Sequence, residues 1–305
     1  MSEWKEETLG NIISVIKNQY QPNKGDNIPY IGLEHIQQQS LRLEGIGSSD
    51  NVTSQKFRFC SGDVLFGKLR PYFRKVVKPK FEGVCSTDIW VLRSKNGYSQ
   101  NFIHYLVATT DFIETCNIGE SGTRMPRADW NYLKNTTWLL PPLLEQEAIA
   151  EVLSSLDDKI DLLHRNNKTL EQLAETLFRQ WFVEEVDESC VEQPLGKLFD
   201  IGIGRTPPRK EQRWFSTNES DMKWVSIKDM GAEGVYCFSV SEYLTHDAVK
   251  KFNVPIIPEN TVMLSFKMTI GRLSIATEPM VSNEAIAHFK RKDNGLYPEY
   301  LYLFL

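Results

Sequence analysis

No stretch of the chain is apolar for the ~20 residues that a bilayer crossing requires. The longest apolar run, Trp138–Leu144, is interrupted by Pro141 and Pro142. The first residues, Met1-Ser-Glu-Trp-Lys-Glu-Glu, have neither the basic start nor the apolar core of a secretory leader, so a cytoplasmic protein is expected. Cysteine is scarce and scattered: five residues, at 60, 85, 116, 190 and 237, without a CxxC pair. That argues against a disulfide framework or a structural zinc site, and for a reducing compartment. The signatures of common enzymes are missing as well. There is no GxxxxGK[ST] phosphate loop, no HExxH and no GxSxG. An Asn or Asp followed by Pro-Pro-Tyr/Phe, as in amino-methyltransferases, is absent too, since Pro141-Pro142 and Pro207-Pro208 have other neighbours. Gly202-Ile-Gly204 is a lone GxG that reads as a turn. Asp158-Lys-Ile-Asp161 and Asp221-Met-Lys223 come nearest to a Mg²⁺-holding set. Such triplets arise by chance in a chain with 35 basic and 40 acidic residues. Catalysis by this chain alone is not expected.

What is present is an ordinary globular composition, 41% hydrophobic and 25% charged, which argues against wholesale disorder. At roughly 150 residues per domain, 305 residues suggest two domains. The net charge of −5 conceals a division. Residues 144–192 hold 13 acids against four Lys/Arg, a balance of −9, so the remainder carries −5 + 9 = +4. Between Lys56 and Lys80 lie eight basic residues and one acid, Asp63. A local cluster of this kind describes a surface, whereas the chain total describes solubility.

The acidic middle has the clearest periodicity. Ile149, Leu156, Leu163, Leu170 and Leu177 recur every seven residues, and four residues after each stand Leu153, Ile160, Asn167, Ala174 and Trp181. Alternating spacings of four and three over five heptads predict the apolar seam of a coiled coil. Pro141-Pro142 precedes the run, where a helix can begin. A helix over 144–186 would be about 65 Å long at ~1.5 Å per residue. Asn167 either sets register within the seam or marks a break in it.

The flanks of this rod resemble each other. Leu9-Gly10 is answered by Leu195-Gly196, and Pro29-Tyr-Ile-Gly-Leu-Glu-His-Ile by Lys223-Trp-Val-Ser-Ile-Lys-Asp-Met. Gly62-Asp-Val-Leu-Phe-Gly-Lys answers Asn260-Thr-Val-Met-Leu-Ser-Phe, Cys85-Ser-Thr-Asp-Ile answers Val281-Ser-Asn-Glu-Ala, and Gln100-Asn-Phe-Ile-His-Tyr-Leu-Val answers Pro298-Glu-Tyr-Leu-Tyr-Leu-Phe-Leu. The offset grows from 186 to 194 and then to 196–198, consistent with one insertion around Arg205–Ser220. The common order predicts a duplication. At an offset of 198 the terminal Leu305 matches Val107, so about 80 residues, including a second rod, are expected to be lacking from the second copy. Short runs at Pro29–Leu33, Asp63–Phe66, Asp88–Leu92, Val225–Ile227 and Val262–Phe266 predict strands. Asn101–Thr109 and Pro298–Leu305 predict helices. The expected fold class is α+β: two similar mixed α/β domains, 1–143 and 191–305, with a coiled-coil helix at 144–186 between them.

The basic segment offers candidates for phosphate and base contacts. Lys68, Arg70, Tyr72 and Arg74 alternate and would share one face of an extended chain, with Lys75 adjoining. Pro71 makes this an edge strand or a loop, and on composition alone an edge strand kept soluble by its charge is the commoner reading. A second candidate is Gly119–Arg127, with Arg124 and Arg127 on a glycine-rich loop. The second flank offers Arg205 and Arg209 beside Pro207-Pro208, then Lys228, Lys267 and Arg272. Trp214 and Trp224 either face a nucleic acid or fill the core, and core is the commoner place for them.

Two similar α/β modules around a heptad helix resemble the specificity subunit of type I restriction-modification enzymes. The resemblance is carried by Leu140-Pro-Pro-Leu-Leu-Glu-Gln-Glu-Ala-Ile-Ala-Glu-Val-Leu entering the rod, Leu177-Phe-Arg-Gln-Trp-Phe leaving it, Trp224-Val-Ser-Ile-Lys-Asp opening the second module, and Gly122-Thr-Arg124. It implies a non-catalytic reader of double-stranded DNA, each module (a target recognition domain) recognising half of a bipartite site. It further implies paired rods that measure the spacer and dock two methylation subunits. S-adenosylmethionine, ATP and Mg²⁺ would reside on those subunits and on a restriction–translocation subunit, with no cofactor or metal on this chain. The departure at the C-terminal end leads to a further expectation: an unpaired rod should self-associate and give a dimer that reads an inverted repeat. The alternative is a coiled-coil scaffold that binds proteins without DNA specificity.

Overall fold

The computed structural model describes residues 4–121, 125–186, 191–231, 234–292 and 296–305. The chain divides into two compact units, 1–160 and 161–305. Unit 1 runs β1 (Lys5–Thr8), α1 (Leu9–Ile12), β2 (Ile13–Ile16), β3 (Gln19–Tyr20), β4 (Pro29–Ile31), β5 (Gly47–Ser48), β6 (Lys56–Phe59), β7 (Val64–Gly67), β8 (Val76–Val77), β9 (Gly83–Cys85), β10 (Ile89–Ser94), α2 (Gln100–Leu106), α3 (Thr110–Ile118), β11 (Glu120–Ser121), β12 (Arg127–Ala128), α4 (Trp130–Leu133) and β13 (Thr137–Leu140). The long helix α5 (Leu143–Arg179) follows, and its first part belongs to unit 1. Unit 2 takes the rest of α5, then α6 (Leu195–Leu198), β14 (Phe199–Ile203), β15 (Phe215–Ser216), β16 (Met222–Val225), β17 (Tyr236–Cys237), β18 (Glu242–Leu244), α7 (His246–Lys251), β19 (Val262–Ser265), β20 (Leu273–Ala276), β21 (Val281–Ser282), β22 (Ile286–Arg291) and α8 (Pro298–Phe304). The architecture is α+β, as the sequence predicts.

Unit 1 is built on the sheet β2-β10-β7-β8. Its two inner strands read Val-Leu-Phe-Gly and Ile-Trp-Val-Leu, nearly continuous apolar runs, because both faces are covered. Val64, Phe66, Trp90 and Leu92 turn toward Ile103, Phe112 and Ile113 of α2 and α3. Leu65, Ile89 and Val91 point the other way, onto Ile31, Phe59 and Cys85 of the second sheet, β3-β6-β9-β4-β5. Serine and threonine start both helices: Ser99 Oγ accepts the Phe102 N–H and Thr109 Oγ1 that of Phe112.

Unit 2 repeats this frame. Its main sheet, β14-β22-β19-β20-β17, has the same order with one strand added. In both units the second sheet contains a parallel pair, Tyr30 opposite Val84 and Trp224 opposite Val281. Gly62 and Asn260, matched in the sequence, both enter their strand from the left-handed region, at φ 84° and 60°. The pairing of Ile31 with Cys85, and of Val225 with Ser282, makes Cys85 the counterpart of Ser282, one residue from the sequence match. The insertion lies where expected, between β14 and β16. The margins of the second sheets differ. Unit 1 extends past β9 with β6 and β3, whereas unit 2 keeps there only a single bridge, Ile257–Met280, and extends on the other side with β18 and β15. One strand sits earlier than predicted, at Met222–Val225, since Ile227 belongs to the turn that follows it.

The counterpart positions between the sheets carry different chemistry. Unit 1 packs Val91 against Cys85, whose thiol burial pushes up to about 12. Unit 2 has His288 and Ser282 instead, with Nε2 2.7 Å from Oγ and both side chains fully buried. The Ser282 hydroxyl also lies 3.1 Å from the Asn283 carbonyl. Burial holds His288 down to about 4, and likewise His104 on α2 in unit 1. A histidine held below its unfolded value near 6.5 costs nothing above that pH; below it, the unfolded chain takes up the proton first. Stability is therefore expected to fall as pH drops from about 6.5 toward 4, by at most ~1.4 kcal/mol per pH unit for each histidine. The double variant Ser282→Cys/His288→Val, which writes the pair of unit 1 into unit 2, should remove one histidine's share of that slope. Urea midpoints at pH 7 and pH 5 for both proteins measure it.

Candidate nucleic-acid interface

In unit 1 the basic residues converge on the loop between β7 and β8. The alternation of Lys68, Arg70, Tyr72 and Arg74 does not become a strand. Arg70 and Arg74 both adopt left-handed backbone, at φ 52° and 48°, and flank a 3₁₀ turn over Pro71–Phe73. Pro71 is buried and opens that turn, where its missing N–H costs nothing. The loop is fastened to the segment before α4: Arg70 N–H donates to Pro126 O, Ala128 N–H to Lys68 O, and Leu69 forms a bridge with Arg127. Lys68 N–H donates to Asp88 O.

The side chains then divide. Arg127 forms a pair with Asp88, Nε to Oδ1 at 3.0 Å, which holds the guanidinium firmly charged. Arg74 Nη2 donates to Thr110 Oγ1 at 2.7 Å, and Lys75 Nζ to the Leu33 carbonyl. Lys68 has its pKa lowered by burial; Asp88 opposes this, while Arg127 and Lys17 add to it. Arg70 is exposed and, among the described residues, has no side-chain hydrogen bond or ion pair. Tyr72 is exposed beside it, its ring edge-on to Phe73. Arg124 lies outside the described residues. The result is a cluster of Lys17, Lys68 and Arg127 about one carboxylate, Asp88, with Arg70 and Arg74 farther along the Lys68 loop, which backbone hydrogen bonds hold. Such a surface attracts phosphates and presents Arg70 as a free fork of donors.

The matching loop of unit 2 runs from Phe266 to Arg272. Met268 takes the left-handed backbone that Arg70 takes in unit 1, at φ 61°, and is 95% exposed. Ile270 is exposed beside it, and Lys267 Nζ lies 5.6 Å from the Phe266 ring. Lys228, on the turn after β16, is exposed. The other candidates here spend their donors inside the unit. Arg205 Nη1 donates to the Phe252 and Asn253 carbonyls at 2.8 and 3.2 Å, behind α7. Arg209 stacks on Phe215 and Trp224, 4.2 and 4.3 Å from the ring centroids, and donates to Glu242. Arg272 Nη1 donates to Ile227 O at 2.9 Å. Trp224 is core, 2% exposed, whereas Trp214 is half-buried under Arg213 and Lys251.

The heptad residues divide between half-buried positions in each unit and an exposed stretch. Ile149 and Leu153 are half-buried against unit 1. Polar ties hold this part of α5, among them Gln146, buried between Ser99 N–H and Pro141 O; Asp157, accepting from Tyr105 Oη at 2.7 Å; and Asp158, paired with Lys80 at 3.0 Å. In unit 2, Ala174 and Leu177 are half-buried, and Phe178, outside the heptads, is buried against Tyr300 at 5.0 Å. Between these regions Leu156, Ile160, Leu163, Asn167 and Leu170 are exposed, Leu170 to 61%. Trp181 is exposed as well, on the π-helical turn Gln180–Glu184 that closes the helix.

Sequence reasoning missed Lys17, Asp88 and Gln146. The first two come from just after β2 and just before β10, and only the fold brings them to the loop. Gln146 had a local signal, since it sits four residues past the Pro141-Pro142 break, but its partner Ser99 is remote in the chain. Among the described residues no helix is long and apolar enough to cross a membrane, and no group of three His, Cys, Asp or Glu is placed to hold a metal.

Comparison with known proteins follows the two-unit division. Residues 1–172 and 188–305 match the family described as the type I restriction modification DNA specificity domain. The type I restriction enzyme HindI specificity subunit of Haemophilus influenzae is 29% identical over 192 residues, covering 60% of this chain and 42% of that protein. The EcoDI specificity subunit of Escherichia coli is 27% identical over 207 residues, covering 63% and 46%. The chain thus matches a little under half the length of these relatives. The S subunit of a type I restriction-modification system from M. genitalium shares the fold, with a TM-score of 0.55 at 14% identity over 99% of this chain and 76% of that one. With both units matched by one specificity-domain family, the chain belongs to the type I restriction-modification DNA specificity family.

Proposed function

We propose that this chain is a non-catalytic subunit that reads DNA sequence for a type I methylation and restriction complex. Each unit reads one half of a bipartite site. The observation that supports this best is the pairing of a common frame with different margins. Both units share the strand order of the main sheet and the parallel pair, yet they differ in the outer strands of the second sheet and in the tips of the loops after β7 and β19. A constant scaffold with variable edges is what two readers of different half-sites require.

Lys17, Lys68 and Arg74 supply charge for phosphates, and Arg70, with five donors in a planar fork, suits the O6/N7 edge of guanine. Tyr72 offers a flat apolar face beside it. In unit 2, Lys228 and Lys267 supply the charge. Helix α5 connects the readers, sets the unread spacer and docks methylation subunits along its exposed stretch. Those subunits carry S-adenosylmethionine and transfer the methyl group to adenine N6; a further subunit carries ATP and Mg²⁺ for translocation and cleavage.

The test is a methylome: the chain is co-expressed with its methylation subunit in a methylation-free host and every modified adenine is mapped. A two-part asymmetric motif is expected. Absence of new methylation, together with no measurable DNA affinity at low salt, would favour the protein-binding scaffold. Arg70→Gln should relax one position of the first half-site, with each mismatched pair there discriminated less by ~1–3 kcal/mol. Lys17→Gln should instead weaken all sites alike and lower the log–log salt slope by ~0.9.

The exposed Leu156, Ile160, Leu163 and Leu170 favour a second reading of the helix, in which two copies pair antiparallel and present two first units to an inverted repeat. Sedimentation at micromolar concentration should then give a dimer that Leu163→Glu/Leu170→Glu converts to monomer. A palindromic methylation motif would accompany the dimer, and a monomeric parent protein would dismiss it.

A further inference from the structure

In each unit the reading loop ends on a long basic residue whose donors are turned inward. Gly67 N–H donates to Lys75 O at 2.8 Å, and Ser265 N–H to Arg272 O at 2.9 Å, so the two residues close equivalent loops. From that position Lys75 Nζ reaches Leu33 O, and Arg272 Nη1 reaches Ile227 O at 2.9 Å. Leu33 and Ile227 are counterparts too, each two residues past the parallel strand, β4 or β16. The turn carrying each carbonyl is closed by its own side chain: His35 Nδ1 accepts from Gly32 N–H at 2.9 Å, and Asp229 Oδ2 from Ser226 N–H at 2.8 Å. The loop start is equally tight. A Cβ on Gly67 would come within 2.8 Å of Leu33 Cδ2 and 3.1 Å of Lys75 Cβ. In unit 2, Ser265 Oγ accepts the Arg272 N–H and donates to Thr269 O.

The same tie is therefore made twice, by lysine in one unit and arginine in the other, between a loop on the main sheet and a turn on the second sheet. Two copies that diverged elsewhere have kept a cation on a peptide carbonyl at this point. We propose that Lys75 and Arg272 are positioning residues for sequence readout, not phosphate ligands. Each locks the reading loop of one sheet to the turn of the other, so that both meet DNA as a single rigid edge. This rests on the DNA-reading function proposed above. A loop ordered before binding pays no ordering cost on the duplex, and hydrogen bonds to base edges discriminate only when donors are held in direction. A charge already bonded to a peptide carbonyl makes no phosphate contact and so releases none of the counterions condensed on DNA, which separates this role from phosphate contact.

The experiment measures affinity of the full-length chain for duplexes carrying the mapped motif and for duplexes substituted at one base pair, at several salt concentrations. Lys75→Met should reduce discrimination in the first half-site about tenfold and leave the second half-site and the salt slope unchanged. Arg272→Met should do the reverse. The exchanges Lys75→Arg and Arg272→Lys, each borrowing the other unit's residue, should keep full discrimination. Lys75→Gln, with a shorter reach, replaces the methionine variant if that one does not melt cooperatively. Uniform weakening at every sequence with a salt slope lowered by ~0.9 would make these residues phosphate ligands and overturn the proposal. Unchanged discrimination in folded methionine variants would overturn it as well. A parent chain with no sequence preference would remove the DNA-reading function itself, and this inference with it.

Discussion

Covering one sheet on both faces is the constraint on which the remainder of each unit depends. The inner strands Val64–Gly67 and Ile89–Ser94, with their counterparts Val262–Ser265 and Ile286–Arg291, have no free face. Helices occupy one side and the second sheet the other, so every exposed feature hangs from the margins. A buried sheet tolerates only conservative change, since altered volume there leaves a cavity or strain. The margins can vary freely. That explains why the two units agree in strand order and differ in edge strands and loop tips.

Charge is distributed by the same logic. Most of the guanidinium groups near the loops are engaged within the protein: Arg127 with Asp88, Arg209 with Glu242, Arg205 with the carbonyls behind α7. Arg74 on Thr110 and Arg272 on the Ile227 carbonyl do the same for the loops whose backbones turn left-handed at Arg74 and Met268. Among the described residues of these loops, Arg70 and Lys228 are exposed and keep their donors for solvent. A basic stretch in a sequence thus overstates the number of side chains available to a ligand, because the loops that carry them need donors of their own.

The long helix shows two regimes along one element. Near unit 1 it is held by specific polar ties and by Ile149 and Leu153; near unit 2 it is held by aromatic packing of Phe178 on Tyr300. The stretch between offers leucines and isoleucine to solvent at heptad spacing. Burying such a stripe against another helix is favourable in proportion to the area removed from water, which is why the proposed partners meet the chain there.

The sequence by itself determined the duplication, the α+β class, the strands at 29–31, 64–67 and 262–265, and the rod, because these rest on local periodicity and on order along the chain. It also carried the family, through phrases such as Leu140-Pro-Pro-Leu-Leu-Glu-Gln whose buried glutamine ties helix to unit. Only the tertiary structure decided which basic residues stay free. Arg70 and Arg74 look alike in the chain, yet one ends in solvent and the other on Thr110; Lys75 and Arg272 find their carbonyls 42 and 45 residues away. The physical reason is that periodicity reports which face of an element is buried, whereas the fate of a long polar side chain depends on acceptors that distant segments bring within 3 Å.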